Sequence, residues 1–228
     1  ASTLDQLAAS SATLAVYDWT DPASMTAGDG GAVVQGDSDT IALVPNYKNP
    51  GTLDLAQGTA DKRPVYNNGA VHDGTDDFMA VAFTANTGPA NATLVYAVKT
   101  SDTAFMLGGT NSLSFFSGVA EDGSGGSPHN GVGTPSYRAG GIDVPVNTRD
   151  VLHLGWSTGS AVVAVILGAD FEDAAITDIR NAYGSNTTYA GSGIYDLVAI
   201  LDGDDPDHAD VLALVEALAA QQNTVLGL

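Results

Sequence analysis

The stretch VHDGTDDFMAVAF, residues 71–83, sets three carboxylates against an apolar run. Asp73, Asp76 and Asp77 offer oxygen ligands to a hard cation such as calcium, which takes about six to eight oxygens with carbonyls usually among them. The same carboxylates could equally form an acid–base pair. A second acidic stretch, DGDDPDHAD at 202–210, carries five carboxylates in nine residues and adds Asp202 and Asp204 to the metal candidates. Neither stretch has the glycine and glutamate spacing of the twelve-residue calcium loop. Turn chemistry accounts for both as well. Asp and Gly bend the chain before Phe78, Val81 and Phe83 join a core, and the last acids of the second stretch, with Pro206, suit the start of a helix. The turn is the preferred reading, calcium stays open as a ligand, and no other cofactor is implied.

Other chemistries find less support. His72, His129, His153 and His208 are scattered and form no pair at metal-ligand spacing. His153 beside Trp156 reads as a half-buried imidazole in a strand. There is no cysteine nucleophile and no G-x-S-x-G elbow. A glycosidase needs two facing carboxylates; the nearest approach is DFED, where Asp170 and Glu172 share strand parity. GGTNSLSFFSG has no phosphate-loop lysine and leads into no helix. Tyr17, Trp19, Tyr47, Tyr66, Tyr137, Tyr183 and Tyr189 are candidate sugar platforms, because a ring face stacks on the apolar face of a sugar. Rings near strand ends more often belong to a core.

These residues must be positioned by short strands. LAVYDW, IALVP, FMAVAF, ATLVYAVK, AFMLGG, SLSFFS, VLHLGW, AVVAVILG and IYDLVAIL are β-rich runs separated by Gly, Asp, Asn, Ser and Pro clusters. That punctuation predicts a sandwich or barrel. Ser2 or Thr3 can cap a short N-terminal helix carrying Leu4 and Leu7, within an arm over residues 1–12. At 207–222 the period changes: Val211, Leu214, Val215 and Leu218 fall at i, i+3, i+4 and i+7, one amphipathic helix with Asp207 or a neighbour as its cap. The glycine-rich, polar residues 121–136 read as a surface loop. The 228 residues make one domain.

ATLVYAVK, AVVAVILG and IYDLVAIL are apolar on both faces, whereas a sheet with one wet face alternates. One terminal helix with a single apolar stripe covers roughly two strands. The remaining cover is expected from another chain, either a copy of this one or a different partner.

Of 27 acidic residues 24 are Asp, against seven Lys and Arg, for a net charge of −20. This argues against nucleic acid and anionic membranes as partners, and it favours solubility in salt water, where screening weakens self-repulsion. The longest strongly apolar run, 161–167, is too short to span a bilayer, so no membrane insertion is expected. No basic segment followed by an apolar one opens the chain, so no signal peptide is visible, and the absence of cysteine fits folding in a cytoplasm.

Taken in order, LAVYDWTDPASMT, GGAVVQGDSD, NYKNPG, ADKRPVYNNGAVHDGTDDFMAV, IYDLVAIL and the terminal helix resemble the concanavalin A-like (laminin G-like) jelly-roll domains of tailed-phage and bacterial surface proteins. The resemblance rests on Asp18 and Asp21, on Arg63, Pro64 and Tyr66, and on Asp73 to Phe78. The tryptophan this family often carries before its Asn/Gly turn is missing, and so is the Glu-x-Asp-x-x-Glu strand of the glucanase branch. The resemblance implies an all-β fold, a concanavalin A-like jelly-roll β-sandwich with a short N-terminal helix and a C-terminal amphipathic helix. It also implies a non-enzymatic structural protein on the exterior of a virion: a head decoration, spike or fibre component meeting other virion proteins or copies of itself, and binding host-surface glycans. A secreted or surface carbohydrate-binding module is the alternative, with a glycoside hydrolase or lyase behind it.

Overall fold

The computed structural model describes residues 2–27, 32–34, 39–72, 77–81, 89, 92–100, 104–108, 115–118, 129–130, 134–139, 142–145, 162–169, 178–180, 193–203 and 209–225. Helix α1 (Thr3–Ala9) leads into β1 (Thr13–Asp18), followed by β2 (Thr26–Ala27), β3 (Ala32–Val33), β4 (Ile41–Val44) and β5 (Leu55–Ala56). Then come β6 (Val65–Tyr66), β7 (Ala70–His72), β8 (Phe78–Val81), β9 (Ala92–Thr100), β10 (Ala104–Gly108), β11 (Phe115–Gly118) and β12 (His129–Asn130). The last elements are β13 (Thr134–Ala139), β14 (Ile142–Pro145), β15 (Val162–Ala169), β16 (Asp178–Arg180), β17 (Gly193–Asp202) and helix α2 (Ala209–Val225).

The strands form two sheets, and the described pairings are antiparallel. The first runs β14-β13-β15-β9-β17-β7-β6, with β1 also on β17; the second runs β12-β11-β10-β16-β8-β5-β4-β2-β3. β17 is the spine of the first sheet. It pairs with β9 along one edge, and on the other edge with β7 through Gly193–Tyr195 and with β1 through Leu197–Leu201.

Ser2 caps α1: its Oγ accepts from the Asp5 N–H, and Asp5 Oδ2 accepts from the Ser2 N–H, a reciprocal pair that satisfies two free donors of the first turn. At the other end the Leu7 carbonyl accepts from Thr13 Oγ1, so the short helix is pinned to the start of β1. α1 packs on α2, and both lie on the same face of the first sheet. Leu7, Val211, Leu212 and Val215 meet Val16 of β1, Val95 of β9 and Leu197, Ala199 and Leu201 of β17, with Leu4, Leu214 and Leu218 at the margin. Burial of each large apolar side chain here contributes about 1.5–3 kcal/mol.

The alternate residues of these strands, Ala15 and Tyr17 of β1 and Val198 and Ile200 of β17, point away from the helices and are also fully buried. Tyr17 shows what lies on that side: its hydroxyl donates to the Leu53 carbonyl, two residues before β5 of the second sheet. β1 and the Leu197–Leu201 stretch of β17 are therefore covered on both faces from within the chain, where α1 joins α2 as a second helix on the same sheet.

Two boundaries also change. The loop expected over 121–136 contains β12, and β13 begins at Thr134. Glycine-rich, polar composition made that segment read as a loop; within it Pro135 pairs with Ile166 of β15, and the β13–β14 ladder starts one residue later at Ser136↔Pro145. A proline at such a ladder end gives up no bond on its second side. Helix α2 spans Ala209–Val225 rather than 207–222; its expected cap, Asp207, lies outside the described residues, as does the run VLHLGW.

Candidate functional site

The densest described polar cluster lies where residues 45–54 fold against α1 and β1. Asn46 is fully buried. Its Oδ1 accepts from the N–H groups of Val16 (3.1 Å) and Lys48 (3.1 Å), and its Nδ2 donates to the Thr52 carbonyl (3.0 Å). The Asn46 N–H in turn donates to Asp54 Oδ1 (2.8 Å), which also accepts from the Gly51 N–H (3.0 Å). Gly51 has φ +88°, a conformation that suits glycine, and Leu53 holds φ +61° while its carbonyl receives Tyr17. Lys48 Nζ donates to the carbonyls of Ser10 (2.8 Å) and Thr13 (2.7 Å), just beyond the C-terminus of α1, where positive charge is favoured. Tyr47, 40% exposed, donates its hydroxyl to Asp5 Oδ1 at 2.7 Å. That bond, followed by those from Ser2, holds the Asp5 carboxyl below the usual carboxylate range, and the Tyr47 hydroxyl is pushed up by the same carboxylate.

Three of the residues that carry the family resemblance, Asp18, Asp21 and Tyr66, hydrogen-bond the segment just after β1. Asp18 Oδ1 accepts from the Thr20 N–H (2.9 Å) and Thr20 Oγ1 (2.6 Å). Burial pushes the Asp18 carboxyl up, against those two bonds, and the nearby charge of Asp21 adds to the rise. Asp21 caps the short 3-10 turn Pro22–Ser24. The Tyr66 hydroxyl donates to the Thr20 carbonyl (3.2 Å). Arg63 is buried, with Nε on the Gln57 carbonyl (2.9 Å) and Nη2 on that of Gly58 (3.0 Å).

No family model, curated protein or solved structure matches the chain. The reading of the site therefore rests on its own geometry.

Two of the five metal candidates, Asp77 and Asp202, lie among the described residues. Asp77 is buried immediately before β8, and Asp202 is exposed at the end of β17. His72, which precedes Asp73 in the chain, pairs with Gly193 at the opposite end of β17 from Asp202. That strand is ten residues long, about 30 Å at strand rise. Asp73, Asp76 and Asp204 lie outside the described residues. Among the described residues no group of three or more His, Asp or Glu side chains is placed to hold a metal. His72 itself is fully buried, edge-on to Trp19 with ring centroids 6.3 Å apart. Its Nδ1 lies 3.3 Å from the Ala70 carbonyl oxygen, which only accepts, so this is a hydrogen bond in the tautomer with the proton on Nδ1.

Burial also sorts the sugar platforms. Tyr17, Trp19 and Tyr66 are buried and belong to the core, the role favoured for rings near strand ends; a ring must present an open face to stack. Tyr47 is the exposed member among the described side chains. Tyr137 is in β13, while Tyr183, Tyr189, His153, Asp170 and Glu172 lie outside the described residues. Asn46, Lys48 and Asp54 went unnoticed in the sequence beyond the label of a polar turn. The available signal was the run NYKNPG, with Asp54 three residues beyond Gly51.

Proposed function

We propose that the chain is a non-enzymatic structural module of a tailed-phage or phage-like virion, a head decoration, spike or fibre component on the particle exterior, built on a concanavalin A-like jelly roll. One observation carries this reading. The motif residues Asp18, Asp21, Arg63 and Tyr66 each hydrogen-bond main-chain atoms, so the resemblance is made of architecture. The topology is in keeping with a jelly roll: the first and last strands pair in one sheet, and the chain passes repeatedly between the two sheets. The fold analogy does not itself fix a function, so the test lies outside the fold. Particles banded on a density gradient from a culture of the source should contain the chain in fixed stoichiometry with the shell protein, and its gene should sit among capsid and tail genes. A chain found only in particle-free fractions, from a gene among polysaccharide-degradation genes, overturns the proposal.

Tyr47 favours glycan recognition as a second reading, because an exposed ring beside the Asp5 carboxylate joins a stacking face to a hydrogen-bond acceptor. A glycan array read with the parent chain and with Tyr47→Ala tests this: a signal lost in the variant supports it, and equal signals refute it.

A further inference from the structure

The charge of this chain is not absorbed by the proposed function. Its excess of 20 negative charges comes almost wholly from Asp, whose short side chain keeps the carboxylate close to the backbone. In DGTDD and DGDDPDHAD like charges occupy adjacent or nearly adjacent positions, mostly one or two chain steps apart, each step about 3.8 Å from Cα to Cα. At 0.1 M salt the Debye length is about 10 Å, no shorter than those separations; at 1 M it is about 3 Å, shorter than all of them. Dilute buffer therefore leaves near-neighbour repulsion standing, and molar salt removes it.

The chain's own cations are far outnumbered by its carboxylates. There are seven Lys and Arg residues, and two of them point hydrogen bonds at the main chain: Lys48 at the carbonyls of Ser10 and Thr13, Arg63 at those of Gln57 and Gly58. These cations clamp loops. Unbalanced charge of this size destabilises a compact state relative to an expanded one in which the charges spread apart. We infer that the fold is built for concentrated salt: molar monovalent cations, acting through screening and not through a coordination site, are a working condition of the native state. The medium in which the protein functions is then one of high ionic strength.

The test is thermal unfolding of the full chain, followed by circular dichroism in KCl from about 0.1 to about 3 M with a chelator present. The expected result is a Tm that climbs by about 10 °C or more across the series. The double variant Asp61→Lys, Asp202→Lys, altering two exposed carboxylates, should reach the same Tm at lower salt. A Tm that moves by less than about 2 °C overturns the inference. So does a parallel rise in parent and variant, which is what general salting-out produces. Recovery of the full stabilisation by millimolar CaCl2 in dilute buffer, without KCl, also overturns it, in favour of a specific divalent site.

Discussion

Asn46 shows how much of this fold rests on one amide. Its side chain closes the buried N–H of Val16 and the part-buried carbonyl of Thr52 together, so Asn46→Ala strands the first without water and leaves the second without its partner. We expect a loss of about 2–4 kcal/mol in urea unfolding, and a loss below about 0.5 kcal/mol would mean that water replaces the amide. Asp18 gives a pH signature. Its folded pKa is raised by burial above the ordinary 3.8, so its protonated form favours the fold; that contribution is complete below the ordinary value and is lost as pH rises through the folded one. Asp18→Asn keeps an acceptor for Thr20, so at fixed salt the variant should melt higher than the parent at pH 7, with the gap closing below about pH 4. Asp5 has the opposite sign. Its lowered pKa stabilises the fold above 3.8, and the contribution fades as pH falls through the folded value. Tyr47→Phe removes the largest cause, so the Asp5 carboxyl should titrate at higher pH in an NMR titration. Sequence reading favoured carboxylate clusters and rings because their chemistry is visible in their type. An amide such as Asn46 becomes special only through burial, which depends on residues about 30 positions away.

At the scale of elements, helix α2 was legible as a helix but not in its full contact arc. The stripe Val211, Leu214, Val215 and Leu218 omits Leu212, which is 6% exposed while Leu214 and Leu218 are only partly buried. A helix wedged against both α1 and a sheet buries a wider arc than one facing a sheet alone, and the neighbour α1 is set by tertiary packing. Accordingly Leu212→Ala should cost about 2–4 kcal/mol and Val215→Ala about 2 kcal/mol, while Leu218→Ala should cost less than either. Chemical denaturation of the three variants checks the order, and a Leu218→Ala loss exceeding that of Leu212→Ala would refute the packing described. Strands read well wherever β-branched runs were long, as in β9, β15 and β17. β13 was missed because it starts inside a glycine-rich, polar run, and its partner β15 lies about 30 residues downstream.

Across the whole molecule, an all-β chain with a helix at each end follows from patterning. The stacking of the two helices on one sheet does not, because it is decided by pairings such as Val16↔Ala199 that join distant parts of the chain. One such pairing set has a consequence for the order of events during synthesis. β17 inserts between β9 and the β1–β7 edge, so the first sheet stays split until residue 202 has left the ribosome, and the helix layer waits longer still. Until then the nascent chain holds β1, β7 and β9 with open, apolar edges, the condition under which aggregation competes with folding. A fragment ending at residue 192 should bind a hydrophobic dye and lack a cooperative melt, and a separate 193–228 peptide added in trans should restore one. The fold is thus completed by its last strand, and a host or expression system that slows translation near the end of the message prolongs its most vulnerable state.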